Sequence, residues 1–169
     1  MNMCEYAFND RSSLTSISIP NSVTEIGDVA FGLCSFSSIL IPSSVVSIGI
    51  GAFGYNKSLM SIDVDKKNSN YVSFNGALYN KEITTLFFCP GGKTELIIPK
   101  SVTSIKEYAF DEYSSILSIT IKSENPPIIE AYAFEKPSQF ISLKIPCGSI
   151  EKYQIANYWS DFINYEEVP

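Results

Sequence analysis

Carboxylate side chains are the groups in this sequence with the clearest capacity for chemistry. Two neighbouring carboxylates can serve as general acid and base when burial shifts one pKa, and acidic clusters can bind calcium. All of them fall in predicted turns or exposed positions, and neither Asp63 with Asp65 nor Asp111 with Glu112 resembles an EF-hand loop. We interpret them as a solvated face rather than a catalytic or calcium site. The candidates are Asp28, Asp63, Asp65, Asp111, Glu112, Glu130, Glu166 and Glu167.

Residues for nucleophilic or metal chemistry are scarce. The chain contains no histidine, which removes the commonest general base, the usual activator of Ser or Cys and the commonest metal ligand. The cysteines lie far apart and form no CxxC pair, so they predict buried or edge thiols, with a disulfide as the open alternative. They are Cys4, Cys34, Cys89 and Cys147. The sequence therefore predicts no enzyme, no metal site and no cofactor.

A short glycine-containing stretch at residues 91–94, GGKT, carries the last letters of a phosphate-binding loop. It lacks the first glycine at the required spacing, and no helix is predicted to follow it. The stretch therefore predicts a tight turn rather than a phosphate site.

Net charge and hydropathy restrict the partners. The 169 residues carry 12 basic and 18 acidic side chains, a formal charge of −6, and the lysines are scattered. Such a chain is a poor match for phosphate backbones, so we expect no nucleic-acid partner. No apolar run approaches the roughly 18 residues that span a bilayer, so we expect no membrane insertion. Residues 1–15 lack the features of a secretory signal, so either the protein is intracellular or a signal has been removed.

The elements that position these residues come from an internal repeat. An alanine followed by a large apolar residue recurs at separations of 22 to 25 residues, with one of 32. Apolar residues at fixed offsets in such a period indicate a solenoid in which each unit covers its neighbour's apolar face. The alanine allows close backbone approach at a corner, and the large side chain fills the space between layers. These alanines are Ala7, Ala30, Ala52, Ala77, Ala109 and Ala133.

Short strands connect these corners. Runs such as LTSISI, LMSIDV, ILSITI and ISLKI alternate apolar with polar residues and are rich in β-branched side chains, which predicts strands. Pro20, Pro42, Pro99 and Pro146 directly follow strands, where a residue without an N–H ends the ladder at little cost. We therefore predict a mostly-β repeat solenoid with short parallel strands.

The period is interrupted at residues 65–93. Turn signals at Asn75-Gly76 and Gly91-Gly92 accompany two candidate strands, NGALYN and ITTLFF. We interpret the segment as a degenerate unit with a hairpin-like excursion that continues the solenoid. A linker between two domains is the alternative, but the segment is too apolar to favour it.

The two ends of the chain differ. Ser149 can cap a short helix whose apolar face includes Tyr153, with Trp159 beyond it. We therefore divide the chain into about six repeat units at 1–148 and a C-terminal cap at 149–169. The N-terminus enters the repeat in mid-unit. We expect that the native protein extends upstream and that this uncapped end is an apolar edge prone to self-association.

One position in each strand is predicted to face outward. In the pattern L-x-x-I-x-I the apolar residues point into the core, so the residue between the last two points away from it. Stacked strands would place these residues in one column, the surface most suited to ligand binding in a curved solenoid. A merely solvated face is the alternative. The column consists of Ser18, Leu40, Asp63, Ile97, Thr120 and Lys144.

The full repeat resembles that of the BspA-like leucine-rich repeat family. The pattern AFxxCxxLxxIxIPxSVTxIGxxAF covers essentially the whole chain, and Cys34 stands at the family's cysteine position. The segments FNGALYNKEITTLFFCPGGKTELIIP, SENPPIIEAYAF and PCGSIEKYQIANYWSDF are similar to characteristic variants in such proteins. The resemblance implies a right-handed curved leucine-rich-repeat solenoid, a cell-surface or secreted location, and protein binding or adhesion without enzymatic activity.

Two functions remain open on sequence grounds. The first is a non-enzymatic cell-surface or secreted module that mediates adhesion to an extracellular or host protein, or to a glycan. The second is a structural spacer, a solenoid that displays another domain and has no ligand of its own. Fold alone does not choose between them, because function depends on the site.

Overall fold

A computed structural model describes residues 1–110, 115–134 and 141–169 of the chain. It is a mostly-β solenoid that ends with a short helix and a 3-10 turn. Short strands of successive turns stack on one another over an apolar interior, which confirms the fold class predicted from the repeat. In chain order the strands are β1 (Asn2–Met3), β2 (Glu25–Ile26), β3 (Ser38–Ile41), β4 (Ser47–Ile48), β5 (Ser61–Val64), β6 (Tyr71–Phe74), β7 (Ala77–Asn80), β8 (Thr85–Phe88), β9 (Glu95–Ile98), β10 (Ser104–Ile105), β11 (Ser118–Ile121), β12 (Ile128–Ile129), β13 (Ser142–Pro146) and β14 (Asn164–Val168).

One face of the solenoid, the long-strand face, consists of β3, β5, β9, β11, β13 and β14. Strand β3 pairs with β5, and the other four form a second sheet in the order β9, β11, β13, β14, with every pair parallel. Burial alternates along all of these strands except β14: in β3, Ile39 and Ile41 are buried, and Ser38 and Leu40 are exposed. This is the alternation that the sequence pattern predicts, because successive side chains of a strand point to opposite faces.

The first predicted strand is missing from this face. Residues 14–19, LTSISI, have no strand structure, although Leu14 O still accepts a hydrogen bond from the next layer. Layer length is not the reason, because the spacing from Phe31 to Ile41 is likewise one residue shorter than that from Phe53 to Val64, and β3 still pairs with β5 over four residues. The stretch instead meets the next layer at its start, where Ser35 N donates to Leu14 O, and no described main-chain bond joins residues 15–19 to β3.

A second face carries the two-residue strands and β8. Strands β1, β2 and β4 form one parallel sheet, and β8, β10 and β12 form another. Beyond these strands the corners stack directly: Phe8 N donates to Ala30 O, and Phe31 N donates to Ala52 O, both at 2.8 Å. The ring centroids of Phe31 and Phe53 are 5.8 Å apart and stacked. The alanine is needed because the next layer leaves no room for a larger side chain.

The degenerate unit forms an antiparallel hairpin, β6 and β7, between the two halves of the solenoid. Asn75 and Gly76 turn it with φ values of 50° and 77°, the positive pair that a type I′ turn requires. Strand β7 is buried on both sides: Leu78 packs in an N-terminal core, whereas Ala77 and Tyr79 pack in a C-terminal core. The hairpin therefore divides the interior into two apolar clusters. The sequence indicated β7 and β8 but not β6.

The C-terminal segment covers the last layer. It contains α1 (Ile150–Ile155), a 3-10 turn at Trp159–Asp161, and β14, which pairs with the edge of β13. The buried side chains that close the core here are Tyr153, Trp159 and Phe162. The sequence did not predict β14.

The start of α1 differs from the prediction. Ser149 immediately precedes the helix, but its side chain makes no capping hydrogen bond, so that prediction is wrong. Glu167 Oε1, from β14, instead accepts hydrogen bonds from Gly148 N at 2.8 Å and Ile150 N at 3.3 Å. A carboxylate brought in by a distant strand thus satisfies N–H groups that a helix start leaves without partners.

Candidate functional site

The predicted outward column lies on the long-strand face, but as two separate groups. Leu40 and Asp63 occupy paired positions of β3 and β5. Thr120 is in register with Ile97 on one side and with Lys144 on the other. Within each group the residues are neighbours, held by strands whose inward side chains are buried.

Two features prevent a single column. Ser18 is exposed, but it lies in the stretch that forms no strand. Asp63 and Ile97 are separated by the hairpin, because Ile62 N in β5 donates to Gly76 O of the hairpin turn at 2.8 Å. A one-dimensional repeat pattern could not reveal this, since the hairpin enters the face from a unit outside the period.

The C-terminal group extends further than the sequence indicated. Glu166 in β14 is in register with Lys144, and Lys144 Nζ lies 3.6 Å from Glu166 Oε2. Both side chains are more than one third exposed, so this ion pair contributes little to stability. Glu166 was expected in a turn or an exposed position; it is exposed, but it lies in a strand that the sequence pattern did not indicate.

A second outward row lies two residues earlier in each strand. Ser38 is paired with Ser61, and Ser118 with Ser142, so this row is dominated by hydroxyl groups. The signal for this row in the sequence is a serine that recurs before the alternating apolar pair, and it is not among the outward positions predicted above. The face thus combines small polar groups with a few exposed aliphatic side chains, a composition suited to contact with another macromolecule.

The carboxylates considered for catalysis do not converge. Asp28 Oδ1 accepts a hydrogen bond from Ile50 N at 2.7 Å and so links two corners, while Asp63 is exposed. Asp111 and Glu112 lie outside the described residues. Within residues 1–110, 115–134 and 141–169, no cluster of three His, Cys, Asp or Glu side chains could hold a metal ion.

None of the four cysteines, all in the described part of the chain, forms a disulfide. Cys34 and Cys89 are buried, and Cys4 and Cys147 are exposed. Cys34 Sγ donates to Phe8 O at 3.3 Å. Burial raises the pKa of the Cys34 thiol, so it acts as a protonated hydrogen-bond donor rather than as a nucleophile.

Asn56 occupies the position that Cys34 holds one unit earlier. It is fully buried, and its Nδ2 donates to Phe31 O and to Phe53 O, both at 2.7 Å. Its Oδ1 accepts from Cys34 N at 2.6 Å. One amide side chain therefore satisfies three main-chain groups at the boundary between two layers.

Residues 91–94 form the predicted tight turn, in which Lys93 N donates to Pro90 O at 3.0 Å. A Cβ atom on Gly91 would lie 2.8 Å from Asn56 O. The glycine is therefore required because the preceding layer approaches closely, and phosphate binding is not needed to explain it.

The repeats match a known family. The model of the BspA type leucine rich repeat region matches the chain in 6 copies, at residues 2–94 and 81–161. No curated protein matches the chain. In the described ranges, no helix has the length and apolar character needed to cross a membrane.

Solved structures share the architecture. A leucine-rich repeat protein from Eubacterium ventriosum ATCC 27560 is 31% identical, with a TM-score of 0.61 over 78% of this chain and 36% of that one. A leucine rich cell surface protein from Faecalibacterium prausnitzii A2-165 is 20% identical, with a TM-score of 0.64 over 99% and 57%. The pneumococcal vaccine antigen PcpA is 14% identical, with a TM-score of 0.54 over 86% and 60%. The last two show the fold alone, and this chain spans less than two thirds of each of these structures.

Proposed function

Because this chain belongs to the BspA-type leucine-rich repeat family, we propose that it is a non-enzymatic cell-surface or secreted module that binds another protein through its long-strand face. Its family and fold are those of leucine-rich repeat proteins. One structural neighbour is described as a cell surface protein and another as a vaccine antigen, which supports an exposed location.

The observation that carries the binding proposal is the unbroken register of outward side chains on the C-terminal sheet. Ile97, Thr120, Lys144 and Glu166 occupy adjacent strands, which lie about 4.8 Å apart in a parallel sheet. Buried neighbours on β9, β11 and β13 hold the first three of these side chains in place. Little conformational entropy is then lost when a partner docks, and that favours affinity.

The composition of the face favours a protein over a glycan. Leu40 is 56% exposed and Ile97 is 46% exposed, and aliphatic groups of this kind match the apolar contacts of protein interfaces. On the long-strand face, no outward position of the described strands carries an aromatic ring on which a sugar could stack. Those positions are Ser38, Leu40, Ser61, Asp63, Glu95, Ile97, Ser118, Thr120, Ser142, Lys144, Asn164 and Glu166.

A binding panel tests the proposal. The chain is passed over immobilised extracellular-matrix proteins and over a glycan array, beside the variants Leu40→Glu and Ile97→Glu. We expect saturable binding to at least one protein and a loss of about tenfold or more in each variant, because a buried carboxylate at a contact is strongly unfavourable. Val46→Glu is the matched control, since Val46 is 51% exposed but precedes β4 on the second face.

Two results would replace the proposal. An absence of saturable binding across the panel would favour the spacer function. Binding to glycans alone, with both variants unchanged, would move the partner class to carbohydrate and the site away from this face.

A further inference from the structure

A notch lies in the second face where the degenerate unit passes through it. Regular corners need six residues from the end of a short strand to the corner phenylalanine, counting both ends, as at 26–31, 48–53 and 105–110. The degenerate unit covers the equivalent path in four residues, from Leu86, which is paired with Ile105, to Cys89, which takes the place of the phenylalanine. Its register is fixed at both ends, because Lys106 N donates to Leu86 O at 2.9 Å and Cys89 N donates to Ala109 O at 2.8 Å. The outward loop of one corner is therefore absent.

The shortened connection leaves main-chain groups of the preceding corner without partners. In the regular corners Val29 N donates to Ile50 O and Phe31 N donates to Ala52 O of the next layer. The equivalent donors one unit later are Gly51 N and Phe53 N, and neither has a hydrogen-bond acceptor among the described residues.

The same layer shows how such a donor can be satisfied. Ile48 N faces the same missing neighbour, and it donates to the Tyr71 hydroxyl oxygen of the hairpin at 3.1 Å. The hairpin thus supplies an acceptor for Ile48 N and leaves Gly51 N and Phe53 N without one among the described residues.

The opposite wall of the notch presents the complementary group. It is formed by the next regular corner, whose ends contact the shortened connection while its middle has no described neighbour on the notch side. In the other corners, Asp28 O and Ile50 O accept hydrogen bonds from the preceding layer, and Glu107 O is the equivalent group here. No described residue donates to Glu107 O. The notch therefore has N–H donors on one wall and a carbonyl on the other, as a strand position between two strands has.

The floor and rim restrict what can enter. The cavity has a volume of about 240 Å³, and Leu78 and Phe87 form part of its apolar lining. At the rim, Lys106 Nζ donates to Glu130 Oε1 at 2.8 Å, and Glu130 Oε2 accepts from Glu107 N at 3.3 Å. Because these charges already have partners, the notch favours an uncharged occupant.

We propose that this notch is a binding site for a short, uncharged peptide segment whose main chain replaces the absent corner. Two of its carbonyl groups accept hydrogen bonds from Gly51 N and Phe53 N, and one of its N–H groups donates to Glu107 O. An aliphatic side chain of the segment packs on Phe87. This is strand addition at a gap inside a stack, where both neighbouring edges are already in place. The site is separate from the long-strand face and does not depend on the function proposed for that face.

The test uses the full chain labelled with ¹⁵N and the capped dipeptide N-acetyl-glycyl-leucine N-methylamide as the probe. Without the probe, we expect the Gly51 amide to exchange about tenfold or more faster than the Val29 amide after correction for intrinsic rates, because only the latter has a carbonyl partner. With the probe, we expect saturable downfield shifts of the Gly51 and Phe53 amide protons and slower exchange at Gly51.

Two variants of similar exposure separate this site from general surface effects. Ile50→Glu changes a lining residue that is 46% exposed and should abolish the saturable shifts. Val46→Glu lies outside the lining and should leave them unchanged, as should Leu40→Glu on the long-strand face. The proposal is overturned by unmoved Gly51 and Phe53 amides, by equal shifts in the Ile50 variant, or by the same shifts with N-acetylglucosamine as the probe.

Discussion

At the scale of single residues, Asn56 shows how one side chain joins two layers. Its amide makes three hydrogen bonds to buried main-chain groups. Replacing it with alanine leaves these groups without partners, so we expect Asn56→Ala to lower the free energy of unfolding by about 2 to 4 kcal/mol. Urea denaturation followed by circular dichroism measures this. Asn70→Ala is the control, because Asn70 is exposed, and an equal loss in both variants would contradict the role of Asn56.

Two tyrosines of the C-terminal segment make stability depend on alkaline pH. Tyr165 O–H donates to Trp159 O at 2.5 Å, and Tyr153 O–H donates to Ser123 O at 2.8 Å. Burial raises the pKa of Tyr165 to about 12 and raises the pKa of Tyr153 as well. Tyrosines of the unfolded chain ionise near pH 10, so they lose their protons first. The stabilisation is therefore fully present below about pH 10 and is lost as the pH rises towards 12.

Urea unfolding between about pH 9 and about pH 11 tests this dependence. We expect stability to fall across the range, and Tyr165→Phe to reduce the slope because one of the shifted groups is removed. An unchanged slope for the Tyr165 variant would contradict the assignment.

At single positions, the sequence predicts well which side of a strand a side chain faces, and it predicts poorly which hydrogen bonds join different layers. The alternation in β3 was sufficient to place Leu40 outward, because the strand period is strictly two. The hydrogen bonds of Asn56, and the one from Ile48 N to the Tyr71 hydroxyl, join residues of different layers. They depend on how far each layer is offset from the next, and a single repeat pattern does not contain that distance.

At the scale of elements, the turn of the hairpin is constrained by both its backbone conformation and its packing. Gly76 has a φ of 77°, and a Cβ atom there would lie 3.3 Å from Met60 O. Gly148 has the same φ, but nothing lies within 4 Å of its Cβ position. Gly148→Ala should therefore cost about 1 kcal/mol of stability from the left-handed conformation alone.

Gly76→Ala should cost more than Gly148→Ala, because the backbone at Met60, directly before β5, must also shift. Thermal or urea unfolding of the two variants measures the difference. Equal costs would mean that the turn does not pack against β5.

Elements with a local signal were predictable, whereas those defined by a distant partner were not. The Asn75-Gly76 turn and β7 follow from residue types that favour positive φ and burial. Strand β14 is polar at most positions and exists because β13 offers it an edge. The missing strand at 14–19 is the converse case, since a good local pattern forms no ladder with the next layer beyond the hydrogen bond from Ser35 N to Leu14 O.

At the scale of the whole molecule, two cores meet at the hairpin. Phe53 is 1% exposed in the N-terminal core and contacts the rings of Phe31 and Phe88. We expect Phe53→Ala to cost about 3 to 5 kcal/mol, because the cavity cannot collapse between stacked layers. The loss should be confined to the N-terminal core, since each layer contacts mainly its neighbours.

Hydrogen exchange resolves this distribution. Amides of β3 should lose protection in the Phe53 variant, while those of β11 and β13 keep it. Phe74→Ala is the control, since Phe74 is 36% exposed at the tip of the hairpin. Equal loss of protection in both cores would show one cooperative unit instead of two.

Self-association through the N-terminal edge stays a prediction. In the described chain Phe8 and Leu14 are half-buried, whereas the corner side chains Phe31 and Phe53 of the following layers are covered on both sides. An apolar layer of this kind, beside the edge strand β1, can pair with another copy. Light scattering over a concentration series measures it, and a constant monomer mass at high concentration would contradict it.

The hairpin between the two cores also has a mechanical consequence. When the ends of the chain are pulled apart, tension can peel layers away singly, because an outer turn is bonded only to the turn beneath it. Strand β7 cannot be peeled in this way, since it is hydrogen-bonded to β6 and β8 and its side chains lie in both cores. Rupture that begins at either end therefore stops at the hairpin. The molecule lengthens under load in two stages: the outer layers peel away first, and the hairpin gives way after them.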